Sequence, residues 1–203
     1  MRILAFSDLH CDVAAAEAIV AAALGADVLV GCGDFATRGR GGAAVLEVLK
    51  LSPVPVLLVH GNHDDPQALR AFCAGWEQGH LLHGGGVTLG GVRFFGLGGE
   101  VPCRNSEPWN ASESEARAAE LLQGFTWGQG EQAVLLTHTP PLGVADLQRD
   151  GSHEGSSAIR DAIAASQPQL CLCGHIHNAW GLTGRIGRTE VRNLGPGLNW
   201  ITL

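Results

Sequence analysis

Asp8 and His10 are separated by one leucine, and His175 and His177 by one isoleucine. Between these pairs lie Gly33-Asp34, Gly61-Asn62-His63-Asp64, and His138 in Thr137-His138-Thr139-Pro140. The five clusters together offer carboxylates, imidazoles and one amide oxygen. That mixture suits manganese, iron, zinc or nickel, because oxygen donors alone would favour magnesium or calcium. In an extended segment residues i and i+2 point the same way, so Asp8 and His10 are expected to face one ion, and His175 and His177 one cleft. The neighbouring glycines are expected to let the backbone turn sharply and approach bound ions. One such pair alone is more often structural than functional. Five in order, each directly after an apolar run, outweigh that reading.

Other residues have blander competitors. Cys171 and Cys173 precede His175 and His177, as in a zinc site, yet they alternate within an apolar run and read as core thiols. Cys11 and Cys32 adjoin the candidate ligands and read as packing around them; His60 ends an apolar run and reads as structural. His153, in Gly151-Ser152-His153-Glu154-Gly155 before a helix, is a candidate substrate contact. The segment from Glu100 to Asn110 is a candidate lid with Arg104, Asn105 and Trp109 as contacts, and an ordinary surface loop is the alternative.

These clusters need strands to carry them. Ile3 to Ser7, Val28 to Val30 and Val54 to Val59 are short apolar runs that read as buried strands. Val13 to Leu24, closed by Gly25, Gly42 to Lys50, and Pro66 to Cys73 with Asp65 as N-cap read as the helices between them. Such alternation implies parallel strands with crossover helices. Gly90-Gly91 between two apolar runs signals a hairpin. Ser112 to Gln123 reads as a helix, with Ser112 and Glu115 matching a capping box. Ala133 to Thr137 and Gln169 to Cys173 read as strands, with a helix over Ser156 to Ala165 between them. The tail from Trp180 reads as a closing β-meander. The sheet arithmetic suggests two packed mixed sheets with helices outside, and loops at the carboxyl ends of parallel strands are where such folds place their sites.

Composition narrows the function. With 203 residues, 45% of them hydrophobic, the chain can bury one proper core, and a single domain over 1–203 is expected. The net charge of −7 disfavours tracking of long nucleic acid, which calls for a basic footprint. Small anions remain open, because metal ions reverse the local charge. The first apolar run is too short for a signal peptide core, and no stretch reaches membrane-spanning length without a charge. The six cysteines then read as free thiols in a soluble, cytoplasmic protein.

At these residues the chain resembles the calcineurin-like metallophosphoesterases. The motifs D-x-H, G-D, G-N-H-D, a histidine after a strand, and G-H-x-H all stand intact between Asp8 and His177. The resemblance implies an α/β four-layer sandwich of two mixed β-sheets flanked by helices. It also implies two divalent ions, one held by Asp8, His10, Asp34 and His177 and the other by Asp34, Asn62, His138 and His175, with Asp34 bridging. The tail segment Asn193-Leu194-Gly195-Pro196-Gly197 is similar to the family's closing asparagine-proline-glycine turn, with a leucine inserted and glycine and proline reordered.

Two divalent ions would outweigh the charges of Asp8 and Asp34 and draw a phosphate. Ions about 3.5–4 Å apart can share a hydroxide and clamp phosphoryl oxygens. His63 is then the expected proton donor to the leaving oxygen, with Asp64 orienting it and supporting its charged form. The expected activity is hydrolysis of a small phosphate monoester or diester, nucleotides and cyclic nucleotides included, with manganese the first ion to supply in vitro. The rival readings are a metal-binding scaffold for protein contacts, which would be expected to have lost ligands or His63, and a nuclease, which lacks its basic stripe.

Overall fold

A computed structural model describes residues 1–128 and 130–203. The first half of the chain alternates as expected: β1 (Arg2–Phe6), α1 (Val13–Ala22), β2 (Val28–Gly31), α2 (Gly42–Leu49), β3 (Val56–Leu58), α3 (Pro66–Ala74) and β4 (Gly79–Leu81). Then follow β5 (Gly85–Leu89), β6 (Val92–Leu97), α4 (Glu115–Leu122), β7 (Gln132–Thr137), α5 (Ser157–Ser166), β8 (Leu170–Cys173), β9 (Thr183–Ile186), β10 (Thr189–Asn193) and β11 (Asn199–Thr202). Two mixed sheets result, ordered β11-β1-β2-β3-β4 and β5-β6-β7-β8-β10-β9.

Side-chain alternation along β1 explains the layers. Ile3 and Ala5 pack between the sheets with Val30, Leu57, Phe94, Val134 and Leu172. Leu4 and Phe6 pack outward with Leu29 and Leu58 under α1, α2 and α3. On the second sheet Phe95, Leu135 and Cys171 pack outward under α4 and α5. A strand covered on both faces must be apolar throughout, which is why β1, β2 and β3 show no polar alternation. Each fully buried leucine or isoleucine contributes roughly 1.5–3 kcal/mol by leaving water.

One strand was not foreseen, and two expectations need correction. The segment Gly79–Leu81 forms a fourth parallel strand against β3. It is too short, and too poor in β-branched residues, to show in the sequence. The tail is not a simple closing meander: β9 and β10 form a hairpin, but β10 also runs parallel to β8 and β11 crosses to the other sheet beside β1. Ser112 and Glu115 do not form a capping box. Ser114 caps α4, accepting from the Arg117 N–H. Glu115 reaches across to the start of α5, where its carboxylate accepts from the Ser156 hydroxyl and the Ser157 and Ala158 N–H groups. A capping side chain serves whichever helix end packs beside it.

Candidate metal centre

The carboxyl ends of β1, β2, β3, β7 and β8 meet at one rim. Their loops are knitted by the backbone: Asp8 N–H donates to Gly33 O (2.9 Å), His10 N–H to Asp34 O (2.8 Å), and Gly174 N–H to His138 O (2.9 Å). Asp8, His10, Asp34 and His175 all occupy the left-handed region, at φ 58°, 45°, 57° and 67°. The i, i+2 argument for the two outer motifs is thereby corrected, because neither segment is extended. Non-glycine residues are uncommon there, and such strain concentrates at functional sites, where the surrounding hydrogen bonds impose it. Two glycines are required by close approach. A Cβ at Gly61 would collide with the Asp34 backbone and carboxylate, and one at Gly174 with the Ser7 hydroxyl.

The side chains converge. Asp34 Oδ2 lies 3.5 Å from His10 Nε2, and its Oδ1 3.5 Å from His138 Nε2. His10 Nε2 and His177 Nε2 face each other at 3.2 Å. Asp8 Oδ1 is 3.9 Å from His177 Nε2. Asn62 Oδ1 is 3.1 Å from His138 Nε2. Two groups have all their ligand atoms within 4.8 Å of one another: Asp8, His10 and His177, and Asp8, Asp34 and His138. The ring of His175 packs 4.9 Å from that of His138. All seven candidates from the sequence thus reach one rim, and Asp8 belongs to both groups.

Neighbours hold these donors in orientation. His138 Nδ1 donates to Cys32 O (2.8 Å), which turns Nε2 toward the Asp34 and Asn62 oxygens. Asp8 accepts from the His175 N–H (3.1 and 3.2 Å) and from Trp180 Nε1–H (3.0 Å). Burial pushes the Asp34 carboxyl up to about 8, even with the His138 imidazole beside it. Burial also holds His175 well below its ordinary value, so its ring is neutral and able to act as a ligand. A buried pair of carboxylates among imidazole lone pairs is a donor set that lacks only positive charge, so these residues fit divalent cations.

His63 and Asp64 divide. His63 Nδ1 accepts from the Arg38 N–H (3.0 Å), so the neutral ring carries its proton on Nε2. The ring is wedged between His10, 5.0 Å away and edge-on, and Trp109 at 4.5 Å. Burial, followed by the neighbouring His10 and His138, lowers its pKa to about 4. Asp64 does not orient it. Both Asp64 oxygens are taken by backbone N–H groups, those of Asp34 (2.9 Å), Ala36 (2.8 Å) and Gly61 (2.7 Å). This carboxylate pins the Asp34 loop to the Gly61 loop.

The remaining candidates resolve unevenly. Cys171 and Cys173 are core thiols, fully buried, and all six cysteines are free. His60 is buried beneath the Asn62 turn with Nδ1 donating to Gly61 O (3.1 Å). His153 donates from Nδ1 to buried Asp146 (2.6 Å), which also accepts from the Gly143 and Gly155 N–H groups, so the pair braces its own loop. In the candidate lid, Arg104 donates to Glu154 O (2.8 Å) and Asn105 Oδ1 accepts from the Glu107 N–H (3.2 Å). Both ends of this segment are anchored, Ala111 N–H to Asn62 O and Val101 N–H to Thr139 Oγ1. The tail turn buttresses the site: Asn193 Nδ2 donates to Gly174 O (3.1 Å) and Ile176 O (3.3 Å), and Ser7 N–H donates to Gly195 O (2.9 Å).

Sequence reasoning missed Arg38 and Trp180 as site residues, and placed Glu100 and Asn110 only as the ends of a lid. The signal for Glu100 was available, since it follows Gly98-Gly99 at the end of a parallel strand, β6, as the other clusters follow theirs. A cavity of about 700 Å³ borders this rim beyond Trp109 and Asn110, lined also by Gln67, Arg70, His83 and Glu113. None of the seven ligand candidates lines it.

Two mixed sheets under outer helices, with histidines, carboxylates and an amide at their shared carboxyl edge, define a metallophosphoesterase fold. The family model described as calcineurin-like phosphoesterase matches residues 1–179, and the chain belongs to that family. It is 28% identical over 183 residues to an uncharacterized protein of Methanocaldococcus jannaschii, covering 84% of this chain and 78% of that one. The fold is similar to that of the Thermus thermophilus protein TT1561, with TM-score 0.79 and 21% identity over 99% of this chain and 98% of that one. It is also similar to a dimetal phosphatase from Danio rerio, with TM-score 0.69 and 12% identity over 97% and 88% of the two chains. Among the described residues no helix is long and apolar enough to cross a membrane.

Proposed function

We propose that this chain hydrolyses small phosphate esters at two divalent cations held by Asp8, His10, Asp34, Asn62, His138, His175 and His177. The observation that carries this is the placement of Asp34, one buried carboxylate with an imidazole nitrogen 3.5 Å from each oxygen. When bound, such ions supply Lewis acidity toward phosphoryl oxygens and lower the pKa of water.

The chain's own residues do the rest. Asp8 and Asp34 fix the charge of the centre, and the hydrogen bonds from Trp180 and His175 hold Asp8 in place. His177 is about half exposed, so the rim is open to a substrate on that side. His63 donates a hydrogen bond from Nε2 toward the leaving or a phosphoryl oxygen, with its other nitrogen tied to the Arg38 N–H. This replaces the charged donor supported by Asp64. The net charge of −7 and an open centre that bound ions would make locally cationic favour a small anionic substrate over a long one.

The test is a hydrolysis screen on manganese-loaded protein with p-nitrophenyl phosphate, its bis-ester and cyclic nucleotides, alongside His63→Ala. Turnover on at least one ester, cut about 10²–10³-fold in the variant, is expected. No turnover on any of them with ions bound would favour a binding scaffold.

A further inference from the structure

We propose that Glu100 and Asn110 are positioning residues that set which end of the Asn62 amide faces the metal centre and hold His175 beside it. The inference rests on the metal-centre reading above.

A primary amide has nearly the same shape at both ends, so its orientation is decided by its partners. Asn62 Nδ2 donates to Asn110 Oδ1 at 2.9 Å. Asn110 Nδ2 donates in turn to Glu100 Oε2 at 2.8 Å and to Asn105 O at 3.1 Å. An ionised carboxylate only accepts. The Asn105 carbonyl likewise only accepts, and together the two fix the direction of the whole relay: the Asn110 amide turns its NH2 to Glu100 and Asn105, its oxygen then faces Asn62, and Asn62 turns its NH2 outward and its oxygen inward. That inward oxygen is the atom 3.1 Å from His138 Nε2.

The other oxygen of the same carboxylate, Glu100 Oε1, lies 3.7 Å from His175 Nε2. One buried acid thus touches two of the seven candidates, one directly and one through Asn110. Its own position is set by the backbone. Arg104 N–H donates to Oε2 (3.0 Å), Glu100 N–H donates to Ala111 O (3.0 Å), and Glu113 N–H donates to Glu100 O (2.9 Å). Only 4% of Glu100 is exposed, so solvent does not replace these contacts.

The experiment is calorimetric titration of the metal-free full chain with Mn2+, with metal content counted after desalting, for wild type, Asn110→Ala and Glu100→Gln. Wild type is expected to take up two ions. Asn110→Ala is expected to bind one ion as wild type does and the other about 10–100-fold more weakly. Glu100→Gln keeps the shape and removes the negative charge that faces Asn110 and His175, so it is expected to lose about tenfold, with no fall in the thermal midpoint of the metal-free protein. A merely structural Glu100 would lower that midpoint and leave the isotherm alone. Isotherms of both variants that superimpose on wild type overturn the relay while leaving the centre intact. A wild type that takes up no Mn2+ removes the centre and the relay together.

Discussion

Asp34 and His138 meet at the seam between the two sheets. The carboxylate lies in the loop after β2 of the first sheet, the imidazole follows β7 of the second, and Oδ1 and Nε2 lie 3.5 Å apart. The other carboxylate oxygen lies at the same distance from His10. Any cation taken up here ties the two sheets together across their shared edge.

Manganese is therefore expected to raise the Tm of wild type and Asp34→Asn to abolish that rise, since a ligand stabilises the state that binds it. Turnover should fall by more than about 10⁴-fold, beyond what loss of a single proton or hydrogen-bond donor accounts for. Thermal melts with and without Mn2+ check this; an unchanged metal-dependent shift would remove Asp34 from the centre.

His63 and Asp64, though adjacent, should fail differently. His63→Ala is expected to leave metal content and metal-free stability intact while kcat falls. Asp64→Ala strips three backbone N–H groups of a charged, buried partner. It should cost about 3–5 kcal/mol in urea unfolding of the metal-free chain. Equal stability of the two variants would contradict the structural role of Asp64.

Gly61→Ala and Gly174→Ala each place a methyl group against a site loop. Both are expected to lose metal binding although neither replaces a ligand, because the new carbon pushes on the Asp34 carboxylate in one case and the Asp8 carboxylate in the other, and the loops must separate to admit it. A fluorescence or calorimetric titration with Mn2+ reads the loss. Unimpaired binding in both would show that the loops tolerate wider spacing.

Glu115 provides a pH test away from the centre. Burial raises its pKa, but the hydrogen bonds from Ala158, Ser156 and Ser157 outweigh it and hold the group below its ordinary value of 4.5. A depressed carboxyl stabilises the fold above its unfolded-state value and loses that contribution as pH falls through its folded value. Glu115→Gln should therefore be less stable than wild type at pH 7 by about 1 kcal/mol. The gap should narrow as the pH drops below about 4.5. A gap independent of pH between 3 and 7 would contradict this assignment.

The ligand types, their order and their place after apolar runs were legible in the chain, because strand burial and side-chain chemistry are local properties. Continuous apolar runs at Ile3–Phe6 and Val28–Val30 announce strands covered on both faces, and glycine beside Asp34, Asn62 and His175 announces tight turns. Partner choice was not legible, because it depends on residues far apart in the chain. Asp64 bonds the Asp34 loop instead of its neighbour His63, Glu115 caps α5 instead of α4, and Asn62 is oriented by Asn110, forty-eight positions away. The left-handed backbone at Asp8 and His10 follows the same rule, since hydrogen bonds to Gly33 and Asp34 hold a conformation that neither residue favours alone. Local chemistry named the donors, and only the packing of the two sheets decided where each one points.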